Sequence, residues 1–128
     1  MQAAGGLKDN VKKVISGGPM MGFAMFDLHV PCTKTSSALL CMAEDPASES
    51  EATACINCGR CVKVCPGHVM PSRLATLAEH GDLEGFQKMD GMECCECGCC
   101  SYICPAKRPL TQSIKSMRKI VLANRRKK

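Results

Sequence analysis

Ten of the twelve cysteines lie between residues 55 and 105, and eight of them stand in two runs with the same spacing. The first run is Cys55-Ile-Asn-Cys58-Gly-Arg-Cys61-Val-Lys-Val-Cys65-Pro66, and the second is Cys94-Cys-Glu-Cys97-Gly-Cys-Cys100-Ser-Tyr-Ile-Cys104-Pro105. Thirty-nine residues separate each framework position from its counterpart, so the chain contains an internal repeat and a pseudo-symmetric pair of sites. Two-residue gaps let three successive thiolates converge from one tight loop, as an iron–sulfur cube requires. Gly59 and Gly98 permit the close approach and unusual dihedrals such a loop needs. A fourth Cys follows one turn later, and the Pro after it stops the chain from continuing in the same direction.

In two-cluster ferredoxins the fourth Cys of each such run ligates the other cluster. The spacing therefore assigns Cys55, Cys58, Cys61 and Cys104 to one [4Fe–4S] cluster. Cys94, Cys97, Cys100 and Cys65 go to a second, and the exchange staples the halves together. Zinc sites instead use two C-x2-C pairs separated by a long insertion. A third Cys after two residues and a fourth after three, twice over, favours iron–sulfur. Four cysteines remain. Cys32 and Cys41 are expected as small buried hydrophobes. Cys95 and Cys99, interleaved with ligands, are expected to point away from the cube.

The elements that must position these loops are short. Pro71 to Gly81 reads as a helix with Pro at its start, Gly at its stop and Leu74, Leu77 and Ala78 on one face. A second short helix is expected from Asp82 to Met89, with Leu83 and Phe86 inward. After Pro109, Leu110, Ile114, Met117 and Val121 recur at helical steps and predict an amphipathic terminal helix of about four turns. Strand signal is poor after residue 55, and one short strand is expected around Val11, Val14 and Ile15. The expected fold is mainly α: a helical two-[4Fe–4S] ferredoxin-like domain behind a short irregular or α+β remnant. Its divisions are the remnant at 1–42, an acidic small-residue linker at 43–54, the cluster domain at 55–105, and a basic amphipathic helix and tail at 106–128.

Composition narrows the function classes. In 128 residues there are 12 Cys, no Trp, one Tyr and three Phe, so any core is small and aliphatic and needs crosslinks from metal or disulfide. No apolar run approaches the ~20 residues of a membrane-spanning helix. The N-terminus has no charged head before an apolar stretch, so a secreted disulfide scaffold is disfavoured and a cytosolic metal protein is expected. After Pro105 there are nine basic residues and no acidic ones, against 8 basic and 12 acidic before it. That tail is expected to be a solvated helix face, with docking to anionic lipid or an acidic partner as the alternative. Without aromatic interleaving it does not read as a nucleic-acid site. His29, His68 and His80 are isolated, and no dinucleotide, P-loop or nucleophile-elbow motif is present. No catalytic residue is expected, and Met20 and Met21 read as packing at a domain interface.

Further motifs carry a resemblance. Ile15-Ser-Gly-Gly-Pro-Met-Met-Gly22, Val30-Pro31, Lys34-Thr-Ser-Ser-Ala-Leu-Leu40 and Glu96-Cys-Gly-Cys-Cys-Ser-Tyr-Ile-Cys-Pro-Ala-Lys-Arg-Pro-Leu110, together with the first cysteine run, resemble the C subunit of the Rnf (Rsx) ion-translocating electron-transport complexes. The likeness covers nearly the whole chain. It implies electron transfer between NADH and ferredoxin coupled to Na⁺ or H⁺ movement. It also implies partners among the other subunits of a membrane complex, a redox partner (ferredoxin or a flavin/NADH module), and a peripheral place on the cytoplasmic side of the inner membrane. The eight framework cysteines coincide with the family's ligands. The flavin and nicotinamide module of the family precedes the point where this sequence begins, so no catalysis is expected of this chain alone. Cys32 stands where the family leads us to expect an aliphatic residue. The rival readings are a stand-alone ferredoxin-like carrier and a zinc-stapled interaction module.

Overall fold

A computed structural model describes residues 5–46 and 48–126. The extreme N-terminus, Ala47 of the acidic stretch, and the last two lysines of the basic tail lie outside the described residues. The chain divides into two units, Met1–Ser50 and Glu51–Lys128.

The first unit is built on β1 (Lys13–Ser16), β2 (Phe23–Ala24) and β3 (Leu39–Met42). β1 is central and antiparallel to both neighbours, with Ile15 opposite Ala24 and Leu40, and Val14 opposite Cys41. Successive strand residues face opposite sides, yet on this central strand Val14 and Ile15 are both buried. Gly22 closes the β1–β2 connection. A Cβ there would lie 2.6 Å from Ile15 Cγ2 and 2.5 Å from Gly18 O, so the Gly-Gly-Pro-Met-Met-Gly segment ends in a residue that must lack a side chain. Where the sequence suggested one strand, the structure has three. β2 spans two residues and β3 has no polar alternation, so long-range pairing rather than local pattern defines them. Asp45, in the stretch expected as linker, accepts Lys13 Nζ on both oxygens at 2.8 Å. Lys13 thereby holds the Asp45 carboxyl below its ordinary range. Met20, Met21, Phe23, Phe26, Val30 and Leu39 are exposed.

The second unit is helical: α1 (Arg60–Lys63), α2 (Pro71–Glu79), α3 (Leu83–Lys88), α4 (Cys99–Ile103) and α5 (Leu110–Arg126), with a 3-10 turn at Gly91–Glu93. Pro71 occupies the first turn of α2, where its missing N–H leaves no bond unmade. Asp82 caps α3 by accepting Gly85 N at 2.8 Å. On α5 the expected stripe Leu110, Ile114, Met117 and Val121 is buried throughout. α2 packs on α5, and Val69, Leu74, Phe86, Ile114, Met117 and Val121 form one core. A second core joins Ala75 and Leu110 to the thiols Cys61 and Cys100. Phe86 is completely buried. Phe86→Ala is expected to cost about 3–5 kcal/mol in urea unfolding of the intact protein. A loss below ~1 kcal/mol would show that this aromatic does not hold α3 to α5.

The repeat is written into the backbone. Positive φ occurs at Asn57 and Glu96, at Gly59 and Gly98, and at His68 and Lys107, each pair thirty-nine residues apart. α1 and α4 begin at equivalent positions, as do α2 and α5. Thr53 N donates to Ala106 O at 3.0 Å, which ties the start of the first repeat to the end of the second.

Candidate metal centre

Each cysteine loop turns through a left-handed glycine, Gly59 (φ 71°) or Gly98 (φ 84°), immediately before a short helix. A side chain at that dihedral would be strained. The turn brings the third cysteine inward, and Cys61 and Cys100 are the buried members of their sets. After each short helix the chain turns again, with His68 N donating to Cys65 O at 3.2 Å and Lys107 N to Cys104 O at 3.1 Å.

Two cavities result. One is lined by Cys55, Cys58, Cys61 and Cys104, together with Gly59 and Ser72. The other is lined by Cys94, Cys97, Cys100 and Cys65, together with Cys95, Gly98 and Thr111. Each receives three framework cysteines from one loop and the fourth from the other. Among the described residues, no group of three or more His, Cys, Asp or Glu side chains is arranged to hold a single metal ion. Four framework thiols line each cavity, three of them from one run with two-residue gaps. The donor set, four soft sulfurs per cavity, fits an iron–sulfur cube.

The two mouths differ. Cys55 and Cys58 are exposed, whereas Cys65, Cys94 and Cys97 are half-buried. Burial pushes the Cys94 and Cys100 thiols up, opposed at Cys100 by a contact with the Thr111 hydroxyl. Ligation needs thiolates, so metal binding there must release protons. Arg108 donates to both Glu79 oxygens, at 2.6 and 2.8 Å. Burial works against its charge, and Glu79 with Cys55 outweighs that and holds the guanidinium above its ordinary range. At the second loop, Arg118 pairs with Glu96 and donates to Met92 O at 3.1 Å, while Lys115 lies 3.6 Å from Glu96.

Several expectations need correction. Cys32 and Cys41 are exposed, because one lies in a loop and the other on an edge strand of a small sheet. Cys95, expected to point away, contributes to the wall of the second cavity, whereas Cys99 lines neither cavity. The basic end is not simply a solvated face: Arg108, Lys115 and Arg118 reach back to Glu79 and Glu96. His29, His68 and His80 are exposed. The sequence reading missed Ser101 and Thr111. Extending the thirty-nine-residue repeat past the Cys-Pro pairs would have aligned Thr111 with Ser72 on the wall of the other cavity.

Residues 54–107 match the 4Fe-4S dicluster domain family, so this part of the chain is a ferredoxin-like dicluster domain. The relatives narrow it further. The chain is 42% identical over 123 residues to the C subunit of the Na(+)-translocating ferredoxin:NAD(+) oxidoreductase complex of Acetobacterium woodii, covering 96% of this chain and 28% of that protein. It is 36% identical over 115 residues to the C subunit of the ion-translocating oxidoreductase complex of Methanosarcina acetivorans (90% and 26%). Identity is 45% over 75 residues to the proton-translocating counterpart from Clostridium ljungdahlii (59% and 16%). The chain is thus homologous to part of the C subunit of ion-translocating (Rnf) oxidoreductase complexes, and spans about a quarter or less of the length of these relatives. Among the described residues no helix is long and apolar enough to cross a membrane.

Proposed function

We propose that this chain relays electrons through two [4Fe–4S] clusters within an Rnf-type ion-translocating ferredoxin:NAD oxidoreductase complex. One cluster takes Cys55, Cys58, Cys61 and Cys104, and the other takes Cys94, Cys97, Cys100 and Cys65. The observation that carries the reading is the division of eight thiols between two cavities, each with one ligand from the opposite loop. When bound, a cube supplies one-electron redox chemistry without any bond-making side chain. The protein's part is to hold, space and shield it. Cys61 and Cys100, at 9% and 7% exposure, sit on the dry side of each cavity beside Ala75 and Leu110. Exposed Cys55 and Cys58 give the first cavity an open edge, with Ile56 also exposed, where a redox partner can approach.

Kinship with the relatives supports the remaining assignments of this reading. Partners are the other subunits of the complex and a ferredoxin or flavin/NADH module. The placement is peripheral, on the cytoplasmic side of the membrane. Residues 1–42 belong with the preceding flavin/NADH-type region, and their exposed apolar side chains give them surface to dock on it. The test is anaerobic iron and acid-labile sulfide analysis with EPR after reduction. About eight irons and eight sulfides per chain, with two interacting spins, are expected for a pair of four-iron clusters. Zinc without iron or sulfide would overturn the reading.

A further inference from the structure

One hydrogen-bond chain reaches the buried cysteine of the second cavity. Thr111 N donates to Ser101 Oγ at 2.9 Å. Ser101 Oγ donates in turn to Thr111 Oγ1, also at 2.9 Å. A hydroxyl has one hydrogen and two lone pairs. Thr111 Oγ1 lies 3.3 Å from Cys100 Sγ; a cysteine sulfur that ligates a cluster carries no hydrogen, so in that state the Thr111 hydroxyl is the donor. In the first repeat Ser72 takes the place of Thr111 and lines the other cavity, but Val62 takes the place of Ser101. Among the described residues no hydrogen bond joins Ser72 to Cys61. A hydroxyl beside the buried cysteine is therefore built on one side of the pseudo-symmetric pair, whereas on the other side Arg108 faces the exposed Cys55.

We propose that Thr111, oriented by Ser101, is a positioning residue whose hydroxyl donates to the Cys100 sulfur and raises the reduction potential of the cluster held by Cys94, Cys97, Cys100 and Cys65. The inference rests on the cluster assignment proposed above. Reduction adds negative charge, part of which resides on the ligand sulfurs. A donor aimed at one sulfur stabilises that state more than the oxidised one, and hydrogen bonds to sulfur are among the levers that set such potentials. Among the described residues no hydroxyl is hydrogen-bonded to Cys61, the counterpart of Cys100, so loss of the Thr111 hydroxyl acts on one of the two centres.

The experiment is an EPR-monitored potentiometric titration of the intact cluster-loaded chain. The signal of each centre is assigned beforehand by its loss in Cys61→Ala and Cys100→Ala. Thr111→Val keeps the side-chain shape and removes the hydroxyl. It is expected to shift the oxidised-to-reduced ratio of the Cys100 centre toward oxidised by about three- to tenfold at fixed potential, ~28–59 mV for a one-electron couple. The exchangeable proton coupling in ENDOR is lost with it. Thr111→Ser restores most of the shift, and Ser72→Ala moves neither centre. Unchanged midpoints in Thr111→Val, or a shift at the Cys61 centre instead, overturn the proposal. If Thr111→Val fails to load the second centre, Ser101→Ala decides: a smaller shift of the same sign supports the proposal, and none refutes it. A chain that binds no iron at all fails at the cluster assignment itself, which metal analysis reveals separately.

Discussion

Cys104→Ala is expected to abolish the centre of the loop in which Cys104 does not lie. Its EPR spectrum should match that of Cys61→Ala, and Cys65→Ala should match Cys100→Ala. In each case iron and sulfide fall to about half of the intact value, since one of two four-iron clusters is lost. The expectation follows from the cavity walls, where Cys104 stands with Cys55, Cys58 and Cys61, and Cys65 with Cys94, Cys97 and Cys100. Pairing the other way, with Cys104→Ala resembling Cys100→Ala, would mean that each run closes its own site. The comparison is internal to four variants, so a general loss of stability does not imitate it.

The second large effect concerns folding. Among the described residues the helical unit has small cores: six buried residues in one, with Leu77, Leu83, Met89 and Met92 packed against them, and in the other Ala75 and Leu110 besides the thiols Cys61 and Cys100. Chains of this size rarely reach more than ~3–5 kcal/mol from a core alone, and metal sites in small domains contribute folding energy outright. Anaerobic removal of iron by a chelator is therefore expected to abolish most of the helical far-UV CD of the second unit and its cooperative thermal transition. Reconstitution with iron and sulfide should restore both. A chelated sample with an unaltered melting curve would show that the cores suffice without metal.

What the sequence made legible were features with a short period. α2, α3 and α5 announced themselves through Pro71, the pair Leu83 and Phe86, and the stripe from Leu110 to Val121, because helix starts and apolar steps are local properties. The cysteine spacing likewise named its chemistry, since three thiols in one loop have few other uses. The rest depends on distant residues meeting. β2 and β3 exist only because they pair with β1. Lys115 and Arg118 looked like solvated charges until the fold set them beside Glu96. Ser101 and Thr111 carry no motif, and their contact with Cys100 forms only where the start of α5 meets α4. Cys32 and Cys41 misled because cysteine's average preference for burial says nothing about a particular loop or edge strand.

The swap of one cysteine between the loops also has a temporal meaning. A nascent chain emerges from the ribosome N-terminus first, so Cys55, Cys58 and Cys61 are available long before Cys104 has been translated. The earlier loop alone offers an iron–sulfur donor three thiolates and an open corner. With the proposed exchange of ligands, neither centre would be complete until the later loop had been made and had met the earlier one. On the assignment proposed above, completion of either cluster would await translation of the second cysteine run, and a product terminated before Cys94 would hold no finished centre.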